Sequence, residues 1–230
     1  MKNKIDYNFL VFILIWFLIP LPSLLAQENT GMLMFQIEGK QFEKNNYDKN
    51  GFITDSQVLN VGKIKKDTKG YSLKINTKIF NEKGTLKSEK SFNYLCDKSQ
   101  NGAVFMGVFP FVNTKSGNIN IEVLSNNFLY PNSLENEDKV NDFSLLVNYK
   151  TGFLGVNTKT FLNITNRKIT KLINGRYELN GNIEIKTFVG KLNVLTLNYI
   201  SNEIIEIANG IIFQKYTEKD GSYFTIELKN

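Results

Sequence analysis

Tyr71-Ser72-Leu73-Lys74-Ile75-Asn76-Thr77-Lys78-Ile79 alternates between apolar and polar side chains almost residue by residue. Successive side chains of a strand point to opposite faces, so Tyr71, Leu73, Ile75 and Ile79 share one face and Ser72, Lys74, Asn76 and Lys78 the other. This is the pattern of an antiparallel strand with one side on a core and one side in water. A second alternation follows from Leu86, where Leu86, Ser88, Lys90, Phe92, Tyr94 and Cys96 share a face. Between the two lies Phe80-Asn81-Glu82-Lys83-Gly84, an aromatic, three polar residues and a glycine. Tyr47-Asp48-Lys49-Asn50-Gly51 and, with four polar residues, Tyr216-Thr217-Glu218-Lys219-Asp220-Gly221 repeat the same device. Each reads as a short hairpin loop with glycine at the left-handed position.

Working outward, further strands are expected at Gly31–Gln36, Phe52–Val61, Ala103–Phe109, Asn118–Val123, Phe143–Tyr149, Thr158–Thr165, Ile169–Ile173, Tyr177–Leu179, Ile183–Thr187, Leu192–Ile200, Ile204–Ile207, Ile211–Tyr216 and Tyr223–Leu228. Asn-Gly pairs at Asn101, Asn174, Asn180 and Asn209, and the break at Val189-Gly190, mark turns between them. No stretch of helical length carries a 3.6-residue period. The fold class is therefore all-β: an antiparallel meander of many short strands curled into an open or flattened barrel, half-barrel or sandwich-like. The polar stretch Asn126 to Asp142 is expected as a surface excursion, and nothing divides the remainder into two domains.

The N-terminus carries different information. Lys2 and Lys4 precede the apolar run Phe9 to Ile19, which Pro20 and Pro22 interrupt before Ser23-Leu24-Leu25-Ala26. A run of that length belongs to an export signal rather than to a spanning helix. The expected division is a signal helix over 1–26, cleaved after Ala26, and a single exported β domain over 27–230. Loss of Lys2, Lys4 and Asp6 takes the net charge from +6 to +5. No cysteine lies near the cleavage site, so the expected location is the periplasm or cell surface without a lipid anchor or a membrane span.

Composition excludes several chemistries. There is no histidine, so a Ser-His-Asp triad, a Cys-His pair and a histidine metal site are ruled out. The single cysteine, Cys96, has no internal disulfide partner and is expected as a buried, inert thiol. Arg167 and Arg176 are the only arginines, and the lysines are interspersed with acids, which is not the footprint of a nucleic-acid binder. No cofactor and no metal is expected: Glu135, Glu137 and Asp138 offer carboxylates but match no calcium-loop spacing.

Two features remain as candidate ligand sites. Arg167 offers a planar guanidinium fork to a carboxylate or phosphate. Phe105, Phe109 and Phe111 belong to Ala103–Val112, whose continuous rather than alternating hydrophobicity suits the lining of an apolar cavity as well as plain core. No catalytic residue is assigned, although the acids Glu203 and Glu206 keep a carboxylate-based glycosidase open.

The hairpins at Asn46–Gly51 and Ile79–Glu89, the central Asn163-Ile164-Thr165-Asn166-Arg167-Lys168-Ile169, the strand pair around Val189-Gly190 and the ending from Tyr216 resemble a family of exported bacterial β proteins. It is a domain of unknown function, labelled TapB-like and typical of Bacteroidetes-type envelopes. Phe188-Val189-Gly190-Lys191 replaces the family's Pro-, Ala-, Gly- and Thr-rich turn, a cysteine is missing near Val194 and an aromatic near Ile205, so the resemblance is to a divergent member. It implies an exported, barrel-like or half-barrel fold and brings no catalytic residues. The functional expectation is a non-catalytic envelope protein that binds an apolar or anionic ligand, or another envelope protein. An assembly factor acting through sheet-edge pairing is the alternative, and a carboxylate-based glycan hydrolase the second.

Overall fold

A computed structural model describes residues 36–66, 68, 70–97, 118–125, 140–150, 157–206 and 209–229. The described chain is a single sheet of twelve strands: β1 (Gln41–Tyr47), β2 (Ile53–Val61), β3 (Lys65–Lys66), β4 (Gly70–Asn81), β5 (Leu86–Asp97), β6 (Asn118–Ser125), β7 (Phe143–Lys150), β8 (Asn157–Lys171), β9 (Arg176–Val189), β10 (Leu192–Glu206), β11 (Gly210–Glu218) and β12 (Tyr223–Lys229). The order is β2-β1-β12-β11-β10-β9-β8-β7-β6-β5-β4-β3. The sheet curls until β2 also pairs with β4, Asp55 opposite Asn81 and Val61 opposite Ile75.

This curl accounts for the one departure from antiparallel pairing. Around the ladder that β2–β4 completes, the strands other than β3 are odd in number, so their directions cannot alternate all the way round. One neighbouring pair has to be parallel, and it is β5–β6, with Ser91 opposite Asn118. A parallel pair needs a long crossover, and the residues between these two strands, 98–117, lie outside those described. The β6–β7 ladder holds only four residue pairs, and the first half of β10 runs beyond the end of β11. The result is a partly open, flattened barrel of the expected class.

The core fills the concave side. Leu73, Ile75 and Thr77 of β4, Leu162 and Ile164 of β8, Ile183 and Ile185 of β9 and Ile226 of β12 are buried at every second position. At about 25 cal/mol per Å², burying each of these apolar side chains contributes roughly 1.5–3 kcal/mol. The three glycine hairpins form as the sequence demands, with φ of 83° at Gly51, 74° at Gly84 and 91° at Gly221. Asn174 and Gly175 both take positive φ between β8 and β9.

Three expectations are corrected. The strands expected to be short merge into long ones of 15, 14 and 15 residues in β8, β9 and β10. The first merger passes through a bulge between Thr165 and Lys168, where Asn166 takes φ 55°. Asn180-Gly181, read as a turn, lies in the middle of β9. Its glycine is there for space: a Cβ would meet Ile164 Cγ2 at 3.2 Å and Ser201 Oγ at 3.4 Å. Finally, β1 adds a strand that alternation does not predict, because its core-facing residues are Phe42, Lys44 and Asn46, and two of those three are polar. Its pairing with β12 means that Tyr223–Leu228 has neighbours on both sides and is no free edge.

Candidate functional site

The bulge at Asn166, Gly181 and Ser201 line up across three neighbouring strands. Thr165 pairs with Asn182, Gly181 with Ser201, and the Ser201 hydroxyl donates to the Gly181 carbonyl at 3.1 Å. Bulges and strand glycines are where a sheet changes direction. Against this line, from β7 to β11, lies a cleft of about 790 Å³.

Register fixes which side chains form it. One row on the solvent side of the sheet runs Ser144, Asn163, Glu184, Asn198 across β7 to β10. The next runs Thr165, Asn182, Ile200, Thr217 across β8 to β11. In the first row the Ser144 hydroxyl donates to Asn163 Oδ1 at 2.8 Å, Asn163 bonds onward to Glu184, and Lys186 Nζ lies 2.8 Å from Glu184 Oε2. The hydrogen bond from Lys186 is the main cause holding the Glu184 carboxyl below its ordinary pKa. At the rim, the Tyr199 hydroxyl donates to Glu218 Oε1 at 3.0 Å. Burial first, and the Glu218 carboxylate second, raise the pKa of this phenol far above its usual value, so it remains a donor.

Behind the cleft wall the barrel interior is polar where an apolar filling is the rule. Lys44 is 3% exposed and Glu203 4%, and charged residues are almost never so buried unless they are paired. Lys44 Nζ lies 4.2 Å from the centroid of Phe224, which stacks on Tyr216 at 4.7 Å and meets Tyr199 edge-on at 5.6 Å. The Tyr216 hydroxyl donates to Glu203 Oε1 at 3.3 Å. Burial lowers the Lys44 amine to about 7, with Asp55 acting in the opposite direction. Gln214, wholly buried, has neither end of its amide hydrogen-bonded.

The residues singled out from the sequence fare differently. Arg167 is buried and donates from Nη1 to the Asn141 carbonyl at 2.9 Å. Its fork is turned into the protein at the bulge and holds the approach to β7, which carries Ser144 of the cleft. Phe105, Phe109 and Phe111, with Ala103–Val112 around them, lie outside the described residues, as do the signal stretch, Glu135, Glu137 and Asp138. Cys96 sits opposite Tyr71 in the β4–β5 ladder. Glu203 and Glu206 do not meet. Three residues apart on one strand, they face opposite ways, Glu203 toward Tyr216 and Glu206 toward Arg176 at 3.2 Å and Asn209. That removes the one acid pair named for a glycosidase. Among the described residues, no three His, Cys, Asp or Glu side chains converge on a point where a metal would bind.

The cleft was missed because its members are separated by strand pairings rather than by sequence spacing. Asn163, Asn182 and Asn198 each read as ordinary outward positions, and only register sets them side by side. Lys44 was missed with its strand.

Comparison with known proteins bears on the fold and the family. A candidate lipoprotein from Parabacteroides distasonis ATCC 8503 superposes with a TM-score of 0.51 at 16% identity, over 84% of this chain and 94% of that one. A candidate exported protein with a YmcC-like fold from Bacteroides fragilis NCTC 9343 gives 0.48 at 16% identity, over 83% and 94%. At such identities the first likeness is one of fold alone. No curated protein matches the chain. The DUF3108-like family matches residues 37–204, from just before β1 into β10, and the chain belongs to that family.

Proposed function

We propose that this protein is an exported envelope protein, a divergent TapB-like member of its family, that binds a ligand in the cleft across β7 to β11 and catalyses no reaction on it. The observation that carries the reading is the cleft itself. A volume of about 790 Å³ lies within the range of ligand sites, and it crosses the three long central strands β8, β9 and β10. Export is supported by the basic and apolar N-terminus, and by the description of the Parabacteroides protein, which shares the fold, as a candidate lipoprotein. A binding rather than a catalytic role is supported by the lack of histidine and by the separation of Glu203 from Glu206.

Native mass spectrometry of the protein purified from its own envelope tests this. The expected result is extra mass on the wild type that is lost on denaturation and is absent from Ile200→Arg, which fills the cleft. Bare chains in both preparations, or equal extra mass on both, would overturn the reading.

A second reading has its own observation. Leu192–Asn198 of β10 continues past Tyr199, the last residue opposite β11, and among the described residues it pairs only with β9. It exposes Leu192 (72%) and Val194 and holds neither lysine nor proline, although a bulge between Asn193 and Leu195 interrupts its ladder with β9. Such an edge suits an assembly role by strand addition.

A further inference from the structure

We propose that the cleft recognises a neutral, hydroxyl-rich chain, that is, a glycan. This inference rests on the binding reading above and supplies its ligand class. The solvent face of β8 to β10 is rich in asparagine, and most of these amides are engaged within the protein. Asn163 accepts from Ser144, Asn193 donates to Thr196, and Asn202 donates to Asn180. Asn182 and Asn198, the two that flank Ile200 in the cleft, bond to no other described side chain. Each offers two donors and an acceptor, which is what a pair of neighbouring hydroxyls requires. An unused amide on an open face is simply hydrated. Here two lie in the cleft on adjacent strands and diagonal to each other, Asn182 opposite Ile200 and Asn198 opposite Glu184.

Ile200, opposite Asn182 and two residues from Asn198 along β10, is 65% exposed. It is the apolar platform of the site, placed to receive the C–H face of a sugar ring while the amides take its hydroxyls. The cleft crosses five strands, four spacings or about 19 Å, room for an oligosaccharide rather than one ring. The remaining charges argue against the other ligand classes. Asp142 and Glu218 face Lys219 around the cleft and Glu184 is paired with Lys186, so no excess of positive charge invites an anion. An acyl chain would cover Asn182 and Asn198 without giving them partners, which is unfavourable for each buried amide.

The test is an NMR titration of the mature chain with three neutral hexaoses (β1,4-glucan, α1,4-glucan and β1,4-linked N-acetylglucosamine), with decanoate and a sulfated hexaose as contrasts. Saturable shifts at Asn182, Asn198 and Ile200 with at least one neutral hexaose are expected, and Asn198→Ala weakens that binding about tenfold. All three positions are at the surface, so the variants remain folded. Shifts at the cleft with decanoate or the sulfated sugar only would overturn the glycan while leaving a binding cleft. Shifts with none of the five, combined with extra mass in native spectra that Ile200→Arg removes, would likewise defeat the glycan alone. Absence of both signals would overturn glycan and binding reading together.

Discussion

The Lys44 ammonium lies 4.2 Å from the centre of the Phe224 ring, inside the barrel and shut off from water. The ring face attracts a cation, but burial disfavours the ammonium and, with Asp55 acting in the opposite direction, lowers the Lys44 pKa to about 7. Folding therefore opposes protonation of this amine. In the unfolded chain the lysine titrates near 10.4. Between pH 7 and that value the unfolded state binds more protons, so this group's penalty is complete below pH 7 and is relieved as pH rises toward 10. Lys44→Met, which keeps the length and removes the charge, is expected to raise stability at pH 7 by about 1–4 kcal/mol. In urea melts from pH 6.5 to 9.5, the wild type should gain on the variant as pH rises. A constant difference would show that Lys44 is not the titrating group.

Tyr216 and Glu203 form another buried polar contact among the described residues. Tyr216→Phe removes a donor from a carboxylate that solvent does not reach, and a loss of about 1–3 kcal/mol is expected. Equilibrium denaturation would show it as a lower midpoint at unchanged slope. A neutral outcome would mean that the hydroxyl contributes nothing net.

Gly181 is tested by a single methyl. Its Cβ would come within 3.2 Å of Ile164 and 3.4 Å of the Thr165 carbonyl, beside the bulge that sets the cleft. Gly181→Ala is expected to cost about 1–3 kcal/mol by overpacking and to move the amide resonances of Thr165, Asn182 and Ser201 together. Stability equal to wild type would mean that the three strands have room to spread.

Arg167→Lys keeps the charge but loses the planar fork that reaches the Asn141 carbonyl. Faster amide exchange is expected in β7 from Phe143 onward, with β9 and β10 unaffected. Uniform exchange changes across the sheet would assign Arg167 a global role instead of a tether to the start of β7.

The free edge of β10 gives the last prediction. Val194→Lys places a charge on the exposed stretch beyond β11. Self-association at high concentration, measured by sedimentation velocity, is expected to fall with stability changed by less than about 0.5 kcal/mol. Unchanged association would remove the edge as an interaction surface.

Alternation at Tyr71–Ile79 and from Leu86, with the glycine hairpins at Gly51, Gly84 and Gly221, was enough to make the chain all-β, because side-chain direction in a strand and positive φ at a tight turn are local properties. The exclusion of histidine chemistry was equally legible, since composition needs no fold. Tertiary structure decided the rest. Whether Asn180-Gly181 turns or continues depended on Ile164 and Ser201 pressing on the glycine from neighbouring strands. Whether Gln41–Tyr47 forms a strand depended on β2 and β12 offering it two edges, which outweighed a lysine and an asparagine facing the core. Asn198 and Ile200 share a face by alternation along β10, but Asn182 and Glu184 lie opposite them only through register, a relation between strands that spacing along one chain does not contain.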